Sequence, residues 1–539
     1  MRSRHCGSTH LRRSGLRLLV ALVLASTAVA THAAERVVHR AGTDDATTLD
    51  PQKVGFPGET TIMSDLFVGL TTLDEKAKVI PGSAESWTIS PDGLRYTFLL
   101  RKDLRWSDGS ALTVADFDYS LRRALNPATA FPYAGRLYMI RNARAIASGQ
   151  KPLAELGVRI VDARRIEISL EHPAPYLLEV LASFAMPVPK ARVEKFGADW
   201  IRGGNLAVNG PFMLAEWRPN AFIRLSKNPN FYDAANVKAD AVVHYPVAQP
   251  MTAMRRFKAG EIDFVLTVPP DQIDWARKEF GSQLRIGQGL GVEAVAFNTE
   301  RGVTKDPRVR RALSMAIDRV ALARNVLGDP KLAAFSYVSP GVSNYPIAVQ
   351  ADFASWPMER RRSEARRLLQ EAGFGPGKPL TLGLAFPAND INRRIAVVVD
   401  AMWRGVGVRA ELQGKEQRAL SADVARGNFD AVRVLWLAGH SDALAFLERL
   451  EGASAGSTMN PSRYVNAAYD AKLTAATREP DLARRAALLR EAETIALADM
   501  PVAPIYFFVG RRLVSSRLTG WSENARGIHV SRFMSVPAR

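Results

Sequence analysis

The feature that most constrains the fold is a change of hydrophobic period near residue 293. Residues 210–292 are strand-rich, whereas the segment that follows alternates strands with amphipathic helices. Alternating strands and helices build βαβ units, in which consecutive strands run parallel. We therefore predict an α/β carboxyl-terminal half with a parallel core, following a strand-rich segment.

A chain of 539 residues is too long for one core, so two or more large lobes are expected. The composition, 47% hydrophobic and 23% charged, is typical of a soluble globular protein and excludes a disordered or membrane-embedded one. The formal charge of +18 comes mostly from arginines spread through helices that also carry acids. Because no long basic block is present, we expect no nucleic-acid binding.

The amino terminus has the pattern of an export signal. Five arginines lie among the first seventeen residues, and an apolar run at residues 18–30 follows them. This run is too short to span a bilayer, so residues 1–34 are excluded from the fold. Cys6, the only cysteine, lies in this segment, and the mature chain is expected to lack thiols and disulfides.

Motifs for catalysis or cofactor binding are scarce. Ser454 lies in a GASAG match to the G-x-S-x-G pattern, but a helical pattern precedes it where a nucleophile elbow requires a strand. The GQGLGV run at 287–292 fails the dinucleotide spacing and is interpreted as a strand. The five histidines beyond the signal share no helix-turn spacing. We predict neither a metal site nor a cofactor.

The best candidate for a binding site is the stretch FDAVRVLWLAGHSDALAFL at residues 429–447. It begins as a buried strand containing Arg433 and breaks at residues 439–440, and a helix is expected after Asp442, a capping residue type. Open α/β sheets bind ligands where a strand gives way to a loop. We interpret His440 as an exposed loop residue, with a functional role and none at all about equally well supported.

A series of motifs runs in one order along the mature chain: TLDP, SDLFVGL, PGSAESW, TFLLRKDLRWSDG, LTVADFDYSLRRALNP, PVPK, NGPF, AGEID and DPRVRRAL. Together they resemble the periplasmic oligopeptide-binding proteins of ABC importers, a family of extracellular solute-binding proteins. The resemblance implies a two-lobed periplasmic binding protein fold of type II, cluster C, with an extra domain. Three domains follow: domain I at 35–68, 192–292 and 506–539, domain II at 69–191, and domain III at 293–505.

The resemblance also implies a mechanism. An extended peptide would be enclosed between the lobes with its main chain paired to strand edges, and the closed form would dock on a permease in the inner membrane. A periplasmic monomer without enzymatic activity is expected. The rival hypotheses are a secreted hydrolase using Ser454 and a binding protein that has become a sensor or chaperone.

The site residues implied by the resemblance include one notable departure. Relatives carry an arginine, then a tryptophan, then an aspartate that binds the peptide amine; the last position is Gly439 in this chain. A second acid falls at Gly55, and a histidine that reaches the peptide carboxylate falls at Asn392. The predicted ligand-binding residues are Arg433, Trp436, Leu437, Ala438, Gly439, His440, Tyr133, Gly55, Phe56 and Asn392.

Loss of the acid matters because an unpartnered buried ammonium costs several kcal/mol. Three explanations remain open. Glu59 or Asp442 supplies the charge from a shifted position, the ligand lacks a free amine, or the local alignment is wrong by a residue or two. A ligand without an amine would be a blocked peptide or an organic anion anchored on Arg433, with His440 donating to an acyl or carboxylate oxygen. Alternatively, Arg433 forms an internal salt bridge.

Overall fold

The computed structural model describes residues 34–538 apart from Phe56, residues 347–348 and Thr458. Cys6 and all of the predicted signal segment except Ala34 lie outside the described residues. The strands of the described chain are β1 Val37–Gly42, β2 Thr71–Leu73, β3 Val79–Pro81, β4 Ala84–Ile89, β5 Arg95–Leu100, β6 Val158–Ile160, β7 Arg165–Ser169, β8 Phe212–Arg218, β9 Phe222–Lys227, β10 Ala241–Pro246, β11 Phe264–Val265, β12 Leu284–Phe297, β13 Leu380–Pro387, β14 Val408–Lys415, β15 Ala431–Leu437 and β16 Val502–Val514.

The helices of the same residues are α1 Pro57–Leu66, α2 Val114–Leu125, α3 Ala143–Ala147, α4 Leu177–Phe184, α5 Lys190–Phe196, α6 Pro250–Lys258, α7 Ile273–Phe280, α8 Pro307–Ala316, α9 Arg319–Leu327, α10 Met358–Glu371, α11 Asp390–Arg404, α12 Gln417–Arg426, α13 Leu444–Leu447, α14 Ala467–Arg478 and α15 Leu482–Asp499. None of these helices is both long enough and apolar enough to cross a membrane.

A ten-stranded sheet organises the molecule in the order β14-β13-β15-β12-β16-β11-β1-β10-β9-β8. Strand β13 runs parallel to both β14 and β15, which confirms the predicted parallel core of the carboxyl-terminal half. The sheet is nevertheless mixed, because β12 runs antiparallel to both β15 and β16. The long β12 also confirms that the glycine-rich run at 287–292 is a strand.

Strands β12 and β16 join the two ends of this sheet. Near its amino end β12 pairs only with β16, which continues to β11, whereas further along it pairs with β15 as well. The register between β12 and β16 shifts twice, between Gln288 and Val292 and again between Glu293 and Ala294. Such irregularities bend a strand pair and re-aim its side chains. The bend therefore lies where β12 gains β15 as a second partner.

A separate four-stranded sheet, β4-β5-β7-β6, lies within residues 69–191. In its β4–β5 hairpin, alternate residues of β5 are buried: Tyr96, Phe98 and Leu100. Each such side chain contributes about 1.5–3 kcal/mol when fully buried. A capping box begins α2, since the Asp116 carboxylate accepts hydrogen bonds from the backbone and side chain of Thr113.

Two helix predictions need correction. The IMSDLFVGL pattern at residues 62–70 predicts a helix, but α1 ends at Leu66, before Gly69, where a Cβ atom would lie 2.5 Å from the Leu181 carbonyl oxygen. This close approach of two backbones requires glycine and an irregular path. The amphipathic pattern after residue 306 forms two helices, α8 and α9, because Asp318 caps a new start by accepting from the backbone of Ala321.

Candidate functional site

A cavity of about 550 Å³ lies beside β15, where β12 and β16 change register. This volume is in the range of small-molecule and peptide pockets. Three strands, β12, β15 and β16, contribute walls, together with residues of α11 and α12. Three of the predicted residues, Asn392, Arg433 and Trp436, line it. Its charged lining residues are Glu293, Arg433, Arg449 and Arg511.

Arg433 is held from three directions. Its Nη2 lies 2.9 Å from Glu293 Oε2 and donates to the Tyr506 hydroxyl at 3.3 Å, while its Nη1 donates to the Asn392 side-chain oxygen. Glu293 lies on the same face because its second neighbour along β12, Val295, is the direct partner of Arg433 on β15. Arg433 thus forms the internal salt bridge that the sequence left open.

The pair between Arg433 and Glu293 is incomplete. Glu293 Oε1 and Arg433 Nε are buried, yet neither has a hydrogen-bond partner among the described residues. Burial raises the pKa of Glu293 to about 7, although Arg433 and a hydrogen bond from Tyr506 favour the ionised form. The Glu293 carboxyl group therefore titrates near neutral pH, and a ligand that contacts it can change the charge of Glu293.

Asn392 serves the same cluster from the first turn of α11. Its backbone N–H donates to the capping side chain of Asn389 at 3.0 Å, and its side-chain amide donates to the Pro387 carbonyl at 3.1 Å. The remaining side-chain oxygen accepts from Arg433. At the position where the resemblance implies a histidine, this chain therefore places a neutral amide that orients Arg433.

The remainder of β15 alternates between core and solvent. Trp436 is buried, and its ring lies 6.3 Å from that of Tyr337, whereas Leu437 is exposed. Ala438 donates its backbone N–H to the Leu290 carbonyl at 2.9 Å and so fixes the chain just after the strand. The strand-to-loop transition predicted from the sequence is confirmed.

Tyr133 and Gly55 lie together in another part of the molecule. The Tyr133 hydroxyl donates to the Gly55 carbonyl at 3.2 Å, and the Gly55 N–H donates to Glu59 at 2.8 Å. The Glu59 carboxylate is buried and also accepts from the backbone and side chain of Thr47. Glu59 thus organises this loop. Phe56, the other predicted residue here, lies outside the described part of the chain.

Gly439 faces a guanidinium group. A Cβ atom at this position would lie 2.5 Å from Cζ of Arg136, which belongs to the segment that follows Tyr133. Burial raises the pKa of Tyr133 and the charge of Arg136 opposes this rise, so Arg136 lies near both Tyr133 and Gly439. At Gly439, to which the resemblance assigns an amine-binding acid, the nearest group is therefore the Arg136 guanidinium from a distant part of the chain.

His440 is buried, which corrects the expectation of an exposed loop histidine. Its ring stacks on Tyr176 at 4.2 Å between centroids, and the adjacent Ser441 N–H donates to Glu179 at 2.8 Å. Burial lowers the pKa of His440 to about 4, so the ring is neutral at pH 7. Its Nδ1 has no hydrogen-bond partner within the described ranges. His440 therefore packs against residues 69–191.

Asp442 is fully committed to structure. Arg485 binds both of its oxygens, at 2.7 and 2.8 Å, and one oxygen also accepts from the Leu444 N–H at the start of α13. The cap predicted from the sequence is confirmed. With Glu59 engaged in its own loop, neither of the two acids proposed to replace the missing aspartate presents an unused carboxylate to the cavity.

Sequence reasoning missed four residues of the site: Glu293, Arg449, Tyr506 and Arg511. Glu293 did carry a signal, since it is the single charge in the apolar run GVEAVAF, as Arg433 is in its own strand. Two opposite charges in two buried strands indicate a cross-strand pair. The other three residues come from a helix-rich loop and the last strand, where no local pattern marks them.

The candidate hydrolase motif lacks the geometry of a nucleophile elbow. Ser454 ends a single 3₁₀ turn, Gly452–Ser454, which follows another 3₁₀ turn rather than a strand. Within the described residues, no group of three or more histidine, cysteine or acidic side chains is arranged to hold a metal ion.

Comparison with known proteins identifies the fold. The murein peptide-binding protein MppA of Escherichia coli is 36% identical over 92% of this chain and 92% of its own length. The oligopeptide-binding protein OppA of Escherichia coli is 32% identical over 93% of each chain. The solved unliganded open form of the murein tripeptide-binding protein MppA superposes with a TM-score of 0.81, at 34% identity, covering 94% of this chain and 99% of that structure.

The family profile gives the same answer. Residues 78–458 match the profile described as bacterial extracellular solute-binding proteins, family 5. The two-lobed periplasmic binding protein fold predicted from the ordered motifs is confirmed by these matches. The chain therefore belongs to the family 5 extracellular solute-binding proteins.

Proposed function

We propose that this protein is the solute-binding subunit of a periplasmic ABC importer, and that it encloses an oligopeptide or peptide-like ligand between its lobes. The family supports the binding role, and relatives spanning nearly the whole chain are named for oligopeptides and murein peptides. The ligand would then pass to a permease in the inner membrane. A monomer located in the periplasm, without enzymatic activity of its own, belongs to the same proposal.

The observation that carries the proposal is a free strand edge beside the cavity. Strand β15 pairs with β12 along its whole length, but β13 pairs with it only at Ala431 and Val432. From Arg433 to Leu437, one edge of β15 has no strand partner in the described chain, and residues 432–436 line the cavity. An extended peptide can add to such an edge through main-chain hydrogen bonds, without regard to its sequence.

The same edge favours a peptide over a non-peptide organic anion. Only a peptide offers regularly spaced N–H and C=O groups to the unpaired groups of β15. Recognition of the ligand amine does not rest on residue 439, on Glu59 or on Asp442. A ligand whose amine remains in solvent, or is blocked, satisfies the arrangement equally well.

Closure would follow the division into three domains proposed from the sequence, with domain I at 35–68, 192–292 and 506–539, domain II at 69–191 and domain III at 293–505. The register shifts of β12 and β16 support it, because the proposed boundary at 292/293 lies between the two shifts and the one at 505/506 lies within the second. A short irregular stretch of two strands can absorb the backbone change of a hinge. The contacts of His440 and Ser441 with residues 176 and 179 would form on closing.

The test is native mass spectrometry of protein purified without denaturation. We expect an added mass, because a closed binding protein retains its ligand. The ligand should be released when the protein unfolds, and sequencing should identify it as one or more peptides. Protein unfolded and refolded without ligand serves as the control and should lack the added mass. Absence of any bound peptide, together with no binding from a defined pool of peptides by calorimetry, would reject the proposal.

Deleting the gene separates transport from other roles. Loss of uptake of the recovered peptides in the deletion strain, restored by the intact gene, is expected for an importer subunit. Unchanged uptake of peptides that the protein does bind would instead indicate a sensor or chaperone.

A further inference from the structure

The cavity beside β15 carries a surplus of positive charge. Three arginines and one acid line it: Arg433, Arg449, Arg511 and Glu293. Glu293 is already paired with Arg433. Two guanidinium groups thus remain without a carboxylate partner in the cavity wall, although charges removed from water are normally paired.

Arg511 is the more exceptional of the two. Its Nε and Nη2 atoms are both buried and have no hydrogen-bond partner among the described residues, and no ion pair includes it there. Burial lowers its pKa, opposed only by the nearby Tyr506. Unmade hydrogen bonds of a buried charged group cost more than those of a neutral one. A guanidinium held in this way in a cavity wall is prepared for an incoming anion.

Arg449, in a 3₁₀ turn near Trp436 of β15, repeats the pattern. Its guanidinium lies 5.9 Å from the ring centroid of Trp436, and its Nε is buried without a partner in the described chain. Burial lowers its pKa; Glu448 opposes the effect, whereas the charge of Arg136 adds to it. No acid forms an ion pair with Arg449 within the described residues. It is therefore a second unused cation.

These cations discriminate between ligand ends. A peptide ammonium entering the cavity would meet only Glu293 as an acid, and Arg433 already holds that carboxylate. At Gly439 the ammonium would meet Arg136 instead of an acid. A carboxylate would find unused donors on both Arg449 and Arg511. Charge-assisted pairs of guanidinium and carboxylate are strong and geometrically specific.

We propose that the ligand is an acidic peptide, and that Arg449 and Arg511 bind its side-chain carboxylates in addition to any contact made with its terminal carboxylate. The proposal rests on the proposed peptide-binding function and names the chemical class of the peptide. The two arginines determine specificity, whereas the free edge of β15 provides affinity that does not depend on sequence.

The experiment presents ligand-free protein with an equimolar pool of three- to five-residue peptides, in which every glutamate or aspartate peptide has a glutamine or asparagine counterpart. Bound peptides are released and identified by mass spectrometry, and the best pair is measured by calorimetry. We expect the acidic member to bind at least about tenfold more tightly, as for a charge-assisted contact. Arg511→Gln and Arg449→Gln should each remove most of this preference and leave the affinity for the amide member nearly unchanged.

Arg409→Gln is the matched control. Arg409 is exposed on β14, so this substitution removes the same charge at a position away from the cavity. It should leave the preference intact. A second readout is the melting temperature of ligand-free protein, which Arg511→Gln should not lower, since this side chain lacks partners in the described structure. A clear decrease would indicate a structural role and overturn the proposal.

The outcomes separate the two proposals. Equal binding of acidic and amide peptides, or a preference that persists in both glutamine variants, rejects the acidic-peptide inference and leaves peptide binding standing. Failure of every peptide to bind rejects the proposed function. Binding of glutarate alone, with no peptide bound, would show that the arginines hold a small free dicarboxylate and would reject both.

Discussion

Two buried arginine–carboxylate pairs each have one member in residues 429–447: Arg433 and Asp442, nine residues apart. The two pairs differ in how completely their hydrogen bonds are made. Arg485 and Asp442 make a two-point contact at 2.7 and 2.8 Å, and Asp442 also caps α13. Arg433 and Glu293 make a single contact at 2.9 Å, and each has a buried atom without a partner in the described chain. Both pairs are almost inaccessible, with side-chain exposures of at most 8%.

The difference teaches which pair serves structure and which serves binding. Removing charges from water is costly, and a two-point contact with an added backbone donor recovers most of that cost. The Arg433–Glu293 pair recovers less and lines a cavity, so a ligand can complete it. Four substitutions test this distinction.

The largest effect is expected when the complete pair is broken. Asp442→Asn leaves Arg485 buried without its counter-charge and should lower the free energy of unfolding by about 3–5 kcal/mol. Urea denaturation at pH 7 measures it. Asp274→Asn, which removes an exposed partner of Arg277, is the control and should change stability by less than about 1 kcal/mol. If Asp442→Asn and Asp274→Asn lost similarly small amounts of unfolding free energy, the buried pair of Asp442 would be no stronger than the exposed pair of Asp274.

The incomplete pair should reveal itself through pH. Because the folded-state pKa of Glu293 is raised to about 7, its stabilising contribution is full below the ordinary pKa of a glutamate and is lost as pH rises through 7. Between pH 4.5 and 7.5, the free energy of unfolding of the wild type should therefore fall by about 1–3 kcal/mol relative to that of Glu293→Gln. Denaturation curves at several pH values measure the difference. Parallel stability profiles would contradict the raised pKa.

Removing the arginine of the incomplete pair should affect binding more than folding. Arg433→Ala is expected to lower the affinity for the recovered ligand by at least about tenfold, as for loss of a charge-assisted contact. Stability should fall less than in Asp442→Asn, because Glu293 can take up a proton when its partner is lost. Calorimetry with the ligand identified by mass spectrometry provides the measurement. Unchanged affinity would make the Arg433 pair as purely structural as that of Asp442.

The smallest effect comes from building a new pair at Gly439. This residue does not have a positive φ, so a side chain is sterically allowed once the flexible end of Arg136 moves. Gly439→Asp should be more stable than Gly439→Asn by about 0.5–1 kcal/mol, the usual value of a partly exposed ion pair. Thermal melting of the two variants side by side gives this difference. Equal stability would place Arg136 out of reach of residue 439.

Local pattern predicted much of the site segment. The alternation of β15, its break after Leu437 and the cap at Asp442 all depend on neighbours in sequence, so they could be read directly. The partner of Arg433 could not be read in this way. Glu293 is distant in sequence and is brought near only by the pairing of β12 with β15.

The same limit explains one error and one omission at the end of the strand, the burial of His440 and the contact with Arg136. A histidine between a strand and a helix is usually exposed, because loops run over the surface. His440 is buried instead, because Tyr176 from a distant segment stacks on it. Arg136, which fills the space beside Gly439, also comes from far along the chain. Residues contributed from across an interface leave no mark on the local sequence.

The antiparallel pairing of β12 with β16 has a consequence for protein engineering. Glu293 and Tyr506 are direct partners across these two strands, so the segment between them begins and ends at adjacent points. Residues 293–505 can therefore be treated as one insert with neighbouring ends. Exchanging this insert between relatives would create only two junctions, both in the same pair of strands, and would yield chimeras in which Arg433 and Arg449 are exchanged while Arg511 stays in place.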